Sequence, residues 1–211
     1  MADIRFYFEP TCPISWKAST WVRRVAEERG QEIDWRFLAL RVLNTGVNYD
    51  KEFAPGVEHV HNAGIRMLRV AVHVRAEKGN EGVDRFYRSA GQHIFETQHA
   101  SSGVANAALD ARPDHVEAML AGAGLPKFYA ELLNDPSLET DIIKESVEAL
   151  GLLGLTAAEG RTIGAPVIEI DGAAFAGPVL VRRPPEDEAA AMADRLLGSA
   201  GFPGYAEFAG R

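Results

Sequence analysis

Strand-forming sequence is confined to the two ends of this chain, and that distribution limits its folds more than any other feature. Ile4-Arg5-Phe6-Tyr7-Phe8 is rich in β-formers, and Ile33 to Leu40 alternates apolar and polar positions. Nothing between residues 57 and 160 reads as a strand; β character returns only at Val167-Ile168-Glu169-Ile170 and Ala173 to Ala176. Any sheet must therefore be small and must join the opposite ends of the chain. Asp171-Gly172 sits between the last two strands, the dipeptide that a tight hairpin favours.

Helical periodicity fills the rest. From Pro13 to Arg29 apolar residues recur at three- and four-residue spacing (Ile14, Ala18, Trp21, Val22, Val25, Ala26). Pro13 suits a first turn, where its missing N–H would have had no partner, and Gly30 suits the stop. The opening is thus β-α-β, which predicts two parallel strands joined by a right-handed crossover. A loop is expected from Arg41 to Gly56, marked by Asn44-Thr45-Gly46 and Pro55-Gly56. The middle predicts helices over 58–78, 82–97, 103–111, 113–122, 126–133 and 138–158, with breakers such as Gly79-Asn80 and Asn134-Asp135-Pro136 between them. Pro184 to Leu197 predicts a last helix, with Glu186-Asp187-Glu188 at the end where the helix dipole favours negative charge. The order β-α-β, helices, β-β-α is that of an α/β thioredoxin fold carrying a large all-helical insertion. Residues 1–56 and 161–211 form the thioredoxin-like domain and 57–160 the inserted helical subdomain, in one unit.

Composition removes several function classes. The 211 residues are 46% hydrophobic and 25% charged, the balance of a soluble globular protein. Thirty acidic against 22 basic residues give a net charge of −8, which repels phosphate, so no nucleic-acid partner is expected. No apolar run reaches the roughly 20 residues a membrane span needs. The first residues run straight into a strand without a signal-peptide core, so a cytoplasmic location is expected. The single cysteine rules out an internal disulfide and a cysteine-rich zinc site. Any sulfur chemistry must join Cys12 to a partner from outside the chain.

Cys12 stands between strand and helix, where the unsatisfied first-turn N–H groups of Ile14 and Ser15 point. These and the helix dipole favour thiolate, so a lowered pKa is expected. Ser15, three residues on, is expected to hydrogen-bond the sulfur anion. The competing reading makes Cys12 a small buried hydrophobe. Downstream, Thr162-Ile163-Gly164-Ala165-Pro166-Val167 places a proline at the start of a strand. In a cis Ala165–Pro166 geometry, the Ala165 backbone would pair with an extended substrate beside Cys12.

Phe6-Tyr7-Phe8-Glu9-Pro10-Thr11-Cys12-Pro13-Ile14-Ser15-Trp16 resembles the active-site opening of DsbA-like thioredoxin-fold oxidoreductases, and more narrowly the actinobacterial mycothiol-dependent nitroreductases. Leu40-Arg41-Val42-Leu43-Asn44, Gly164-Ala165-Pro166 and Phe175-Ala176-Gly177-Pro178-Val179-Leu180 extend the likeness over nearly the whole chain. The resemblance implies that Cys12 is the nucleophile attacking a disulfide, that Pro166 is the family's cis-proline, and that Asn44 lines the substrate cleft. Pro13, Ile14 and Ala165 complete the expected binding residues. The implied cofactor is mycothiol, or glutathione, as a thiol co-substrate, and the implied substrates are nitroaromatic compounds or disulfides. The implied partners are a small thiol and a small-molecule or disulfide substrate, for a monomer or homodimer.

This chain departs from the family's Cys-Pro-Trp-Cys. Ser15 stands where a resolving cysteine would be, and Ile14 where an aromatic ring would be. Only a monothiol cycle remains, in which an external thiol resolves a mixed disulfide on Cys12. The chain also resembles, at further remove, kappa-class glutathione transferases and hydroxychromene-carboxylate isomerases. That gives a second reading, a thiol-dependent transferase or isomerase with Cys12 and Ser15 holding the cofactor; a redox-inert binding protein is the third. The histidines show no metal-site spacing: His59 and His61 fall on different helix faces, and His93 and His99 straddle a helix end. Trp21 is expected in the core, Trp16 at the cleft border, and Arg182-Arg183 in a solvated loop.

Overall fold

Alternation along the first strand sets the two faces of a small sheet. In β1 (Ile4–Phe8), Ile4, Phe6 and Phe8 enter the main core, while Tyr7 faces a second apolar cluster on the other side. The computed structural model describes residues 3–96, 111–156, 164–180, 182, 185 and 188–200. The elements are β1, α1 (Pro13–Arg29), β2 (Ile33–Phe37), α2 (Leu40–Leu43), α3 (Tyr49–Glu52), α4 (Val57–Phe95), α5 (Pro113–Gly122), two 3-10 helices (Lys127–Asn134 and Pro136–Leu138), α6 (Glu139–Leu152), β3 (Val167–Ile170), β4 (Ala173–Ala176) and α7 (Ala189–Ala200).

The sheet has the order β2-β1-β3-β4, with β1 and β2 parallel and the other pairs antiparallel. Phe6 stands in register with Trp35 on one side and Ile168 on the other, a row that buries fully on the main-core face. The chain has a DsbA-like thioredoxin fold, with the sheet drawn from its two ends and helices in between.

The edge strand β2 is closed by helical side chains rather than by another strand. Asn80 accepts from the Trp35 N–H at 2.9 Å and donates to the Ile33 carbonyl at 2.6 Å. Farther along, Glu145 accepts from the Phe37 N–H at 2.7 Å and Ser146 from the Ala39 N–H at 3.0 Å. A buried backbone donor left unpaired would cost roughly 1–3 kcal/mol, so these contacts dock α4 and α6 on the sheet in one register. Arg75 bonds the same Glu145 at 2.7 Å, which keeps that buried carboxylate paired.

The structure corrects several expected boundaries. β2 ends at Phe37, and the expected loop 41–56 contains the short helices α2 and α3. The helices expected over 58–78 and 82–97 are joined as α4, with Gly79 at φ 66° and ψ −167° breaking the helical backbone between them. The expected helix over 126–133 is a 3-10 helix, Lys127–Asn134, with Pro126 at its N-cap and Pro136 two residues beyond its end. α7 starts at Ala189 rather than at residue 184, so its described first turn carries no acid. The expected helix 103–111 lies almost wholly outside the described residues, as do Thr162, Ile163, Arg183, Pro184, Glu186, Asp187 and His99.

Candidate functional site

The β1–α1 turn places Cys12 as the N-cap of α1, with φ −88° and ψ 116° and Pro13 following in the first turn. The Ser15 N–H reaches its Sγ at 3.5 Å, as the capping argument requires. From the far end of the chain, the Ala165 carbonyl accepts from the thiol at 3.6 Å. The Ala165–Pro166 peptide is cis, and so is Gly177–Pro178. Cys12 and Ala165 are thus brought together with Tyr7, Leu38, Leu43, Ala149, Leu150 and Val167 in the second apolar cluster.

That surrounding reverses the expected sign of the thiol's shift. Cys12 is only 8% exposed. Burial pushes its pKa up to about 11, and the negative charge of Glu9 adds to the rise. The Ser15 and Ile14 N–H groups act in the expected, lowering direction but are outweighed. The capping geometry was legible in the sequence; desolvation by residues from other parts of the chain was not. The resting sulfur is a thiol.

Ser15 is a second correction. Its hydroxyl makes no contact with the sulfur: it lies 3.1 Å from the Tyr87 hydroxyl and accepts from the Glu9 N–H at 3.4 Å. Ser15 is fully buried. The helical twist turns its side chain toward α4, where Tyr87 stacks on Phe8 at 4.1 Å between ring centroids. A role for this hydroxyl in holding a cofactor sulfur, which the transferase reading needed, has no geometric support.

Glu9 is the residue that sequence reasoning passed over. It is fully buried, directly after β1. Thr11 donates to its Oε1 through both the backbone N–H, at 3.2 Å, and the hydroxyl, at 3.0 Å; the Leu40 N–H reaches Oε2 at 3.1 Å. Desolvation nevertheless dominates these favourable bonds and raises its pKa to about 7. The carboxylate lies against the backbone of α4 at Gly64, where a Cβ would overlap it. Two signals were readable: an acid between Phe8 and Pro10 at the end of an apolar strand, and an isolated glycine inside a helical run. Gly91 serves likewise for Trp16, whose ring a Cβ there would strike.

The other expected residues fall around this centre. Pro13 is exposed and Ile14 half-buried, packed on the cysteine's cluster. Asn44 is buried; its Nδ2 donates to the Leu40 carbonyl at 2.8 Å, and its Oδ1 is buried without a partner. Trp16 and Trp21 are both buried, Trp21 donating to the Ala189 carbonyl at 3.1 Å. Trp16 nonetheless lines a cavity of about 300 Å³ with Pro13, Lys17, Phe95 and Glu96. His61 is buried, its Nδ1 2.9 Å from the Tyr49 hydroxyl, and burial together with the positive Arg41 lowers its pKa to about 4. His59 is exposed, and His93 bonds His115 at 2.9 Å. Among the described residues no three His, Cys, Asp or Glu side chains gather as a metal site. None of the described helices is long and apolar enough to cross a membrane.

Residues 11–210 match the family model described as "Rv2466c-like: Mycothiol-dependent nitroreductase Rv2466c". Uncharacterized protein Rv2286c of Mycobacterium tuberculosis is 25% identical over 204 residues, covering 96% of this chain and 79% of that protein. A crystal structure of a candidate protein-disulfide isomerase from Pseudomonas syringae shares the fold with a TM-score of 0.51 at 19% identity, over 94% of this chain and 92% of that one.

Proposed function

This chain belongs to the Rv2466c-like mycothiol-dependent nitroreductase family, and from that premise we propose that it is a monothiol oxidoreductase whose nucleophile is Cys12. The observation that carries the reading is the meeting of Cys12 Sγ with the Ala165 carbonyl, 3.6 Å apart, at the N-terminus of α1. Membership supports thiol-dependent redox chemistry, and with a single cysteine in the chain the cycle in this reading is a one-thiol cycle.

Because the resting sulfur is protonated, the first step is proton removal. With the thiol pKa raised to about 11, that proton passes to solvent base, and the charge of Glu9 opposes its loss. The thiolate, held by the Ser15 and Ile14 N–H groups, attacks one sulfur of a disulfide substrate. A bond forms between Cys12 Sγ and that sulfur, the substrate S–S bond breaks, and the leaving thiolate takes a proton from water. A small thiol then attacks the mixed disulfide and releases Cys12. Ala165 and Pro166 provide the backbone against which the substrate lies, and Pro13 and Ile14 flank it.

Mycothiol is the small thiol the family implies, supplying the second sulfur that this chain lacks. The unpartnered Oδ1 of buried Asn44 fits a polar thiol carrying hydroxyl or amide donors. The helices between β2 and β3 act in this reading as an inserted subdomain over 57–160 that walls the cleft, and the site of action is the cytoplasm.

Intact mass spectrometry after exposure to mycothiol disulfide and to glutathione disulfide tests the proposal. One adduct per chain, lost in Cys12→Ala, is the expected result and names the thiol. Thiol-dependent activity that survives in Cys12→Ala overturns it.

A further inference from the structure

Glu9, Pro10, Thr11 and Cys12 form a β-turn closed by the Cys12 N–H on the Glu9 carbonyl at 3.1 Å, with Pro10 where its fixed φ suits such a turn. That closure holds the first and last Cα atoms within about 7 Å, so the buried acid and the thiol stand at the two ends of one tight bend. Thr11 lies between them and is itself buried. Its backbone N–H and its hydroxyl both donate to the same oxygen, Glu9 Oε1, at 3.2 and 3.0 Å. The hydroxyl has a second acceptor in reach, the Val60 carbonyl of α4 at 3.3 Å. It carries one proton and cannot serve both fully. With Glu9 ionised, that proton goes to the carboxylate, in the shorter and charge-assisted bond. With Glu9 protonated on Oε1, the acid donates to Thr11 Oγ1 and the threonine proton turns to Val60. The Thr11 and Leu40 N–H groups can give but not take, so among the described partners of this acid the hydroxyl alone changes role with its charge.

We propose that Thr11 is a positioning residue whose hydroxyl sets the charge of Glu9 and, through that charge, the supply of thiolate at Cys12. The inference rests on the reading of Cys12 as the nucleophile and adds what controls its availability. Removing the hydroxyl costs the anion a charge-assisted bond and the neutral acid only an ordinary one, so the acid should ionise at higher pH. The Thr11 bonds favour the anion of a carboxyl whose pKa burial has raised to about 7. Ionised Glu9 opposes loss of the Cys12 proton, so an acid that ionises later leaves the thiolate easier to form over a wider pH range. Other charged and titratable groups stand on the elements packed around this turn. Arg41 of α2 is paired with Glu58 of α4 at 3.5 Å. Burial raises the pKa of Tyr49 on α3, and that of its partner His61 on α4 is lowered to about 4. Neither of these rings titrates near pH 7, and His59 is exposed.

The test is the rate of Cys12 alkylation by iodoacetamide from pH 5 to 11, followed by intact mass on the full chain. In the wild type the logarithm of the rate should climb in two limbs, separated by a shoulder near pH 7 where Glu9 ionises. Glu9→Gln should abolish the shoulder. Thr11→Val should move it up by about one pH unit, and Thr11→Ser, which keeps the hydroxyl, should leave it at its wild-type place. Circular dichroism identifies a valine variant that has merely unfolded, and Thr11→Ala then replaces it. A shoulder absent from the wild type, or unmoved in the folded variant that lacks the hydroxyl, overturns the role of Thr11; a one-to-one adduct with mycothiol disulfide leaves the monothiol reading standing in either case. A shoulder that moves as stated, in a chain that forms no such adduct, supports the hold of Thr11 on the thiol and overturns the monothiol reading.

Discussion

Ser15 and Tyr87, 72 positions apart in the chain, share a hydrogen bond of 3.1 Å beneath the β1–α1 turn, and the serine hydroxyl is thereby turned away from Cys12. What Ser15 offers the sulfur is its backbone N–H, at 3.5 Å. Ser15→Ala keeps that N–H and loses the hydroxyl. The variant should cost about 1–2 kcal/mol in denaturant unfolding, for a buried bond lost and the Tyr87 hydroxyl deprived of a partner. The pH profile of Cys12 alkylation should not move. A shifted profile would mean that the hydroxyl acts on the sulfur.

Alkylation of Cys12 should be slow at neutral pH and should rise with an apparent pKa near 11, two causes raising it: burial and the charge of Glu9. Glu9→Gln removes the second and leaves the first. The apparent pKa should therefore fall, while staying above that of a free thiol, about 8.5. Rates of iodoacetamide reaction between pH 7 and 11, followed by mass, measure both values. An unperturbed profile in the wild type would contradict the buried thiol.

The Glu9 carboxyl also links stability to pH. Its pKa is raised in the folded state to about 7 from an ordinary value of 4.5, so the native form favours the protonated acid. Its contribution is full below pH 4.5 and is lost as pH rises through 7. His61 has the opposite slope: its folded pKa is lowered to about 4 from 6.5, so its contribution is full above 6.5 and is lost as pH falls through 4. The two oppose each other between pH 4.5 and 6.5, so single-protein curves are not diagnostic. The difference in unfolding free energy, wild type minus Glu9→Gln, isolates the acid. It should fall by on the order of 3 kcal/mol between pH 4.5 and 8. A flat difference would contradict the raised pKa.

Two glycines of α4 allow close approach and one of α6 does not. Gly64→Ala would drive a methyl into the Glu9 carboxylate, and Gly91→Ala into the Trp16 ring. Each should destabilise by about 1–3 kcal/mol. Gly64→Ala should in addition alter the pH profile of Cys12, because the acid beside the thiol moves. Gly151→Ala meets nothing within 4 Å and lies inside a helix, so it should stabilise by about 0.5–1 kcal/mol. Thermal melts of the three variants give the order directly.

Legibility followed the range of the interaction. The strand over Ile4–Phe8, the proline-led helix after it and the glycine stop at Gly30 depend on neighbouring residues, and each lies where the periodicity places it. The Asp171-Gly172 hairpin is similarly local, with Asp171 at φ 51° and Gly172 at φ 80°. Ends set by docking were not readable: β2 stops at Phe37, where the hydrogen bonds of Glu145 and Ser146 take over from the sheet. Glu9 was only half legible: Thr11, two residues on, is a local partner, but Leu40 and the backbone at Gly64 are not.

The sequence by itself determined the order of elements, the single thiol and its place as the cap of α1. All three follow from backbone preference and spacing over a few residues. Only the tertiary structure decided that this thiol rests protonated, that Ser15 binds Tyr87, and that the charge of a buried acid acts on the sulfur. The physical reason is that desolvation and charge act through space. The cysteine's state is set by Ala165, Leu150 and Glu9 together, and no stretch of chain contains all of them.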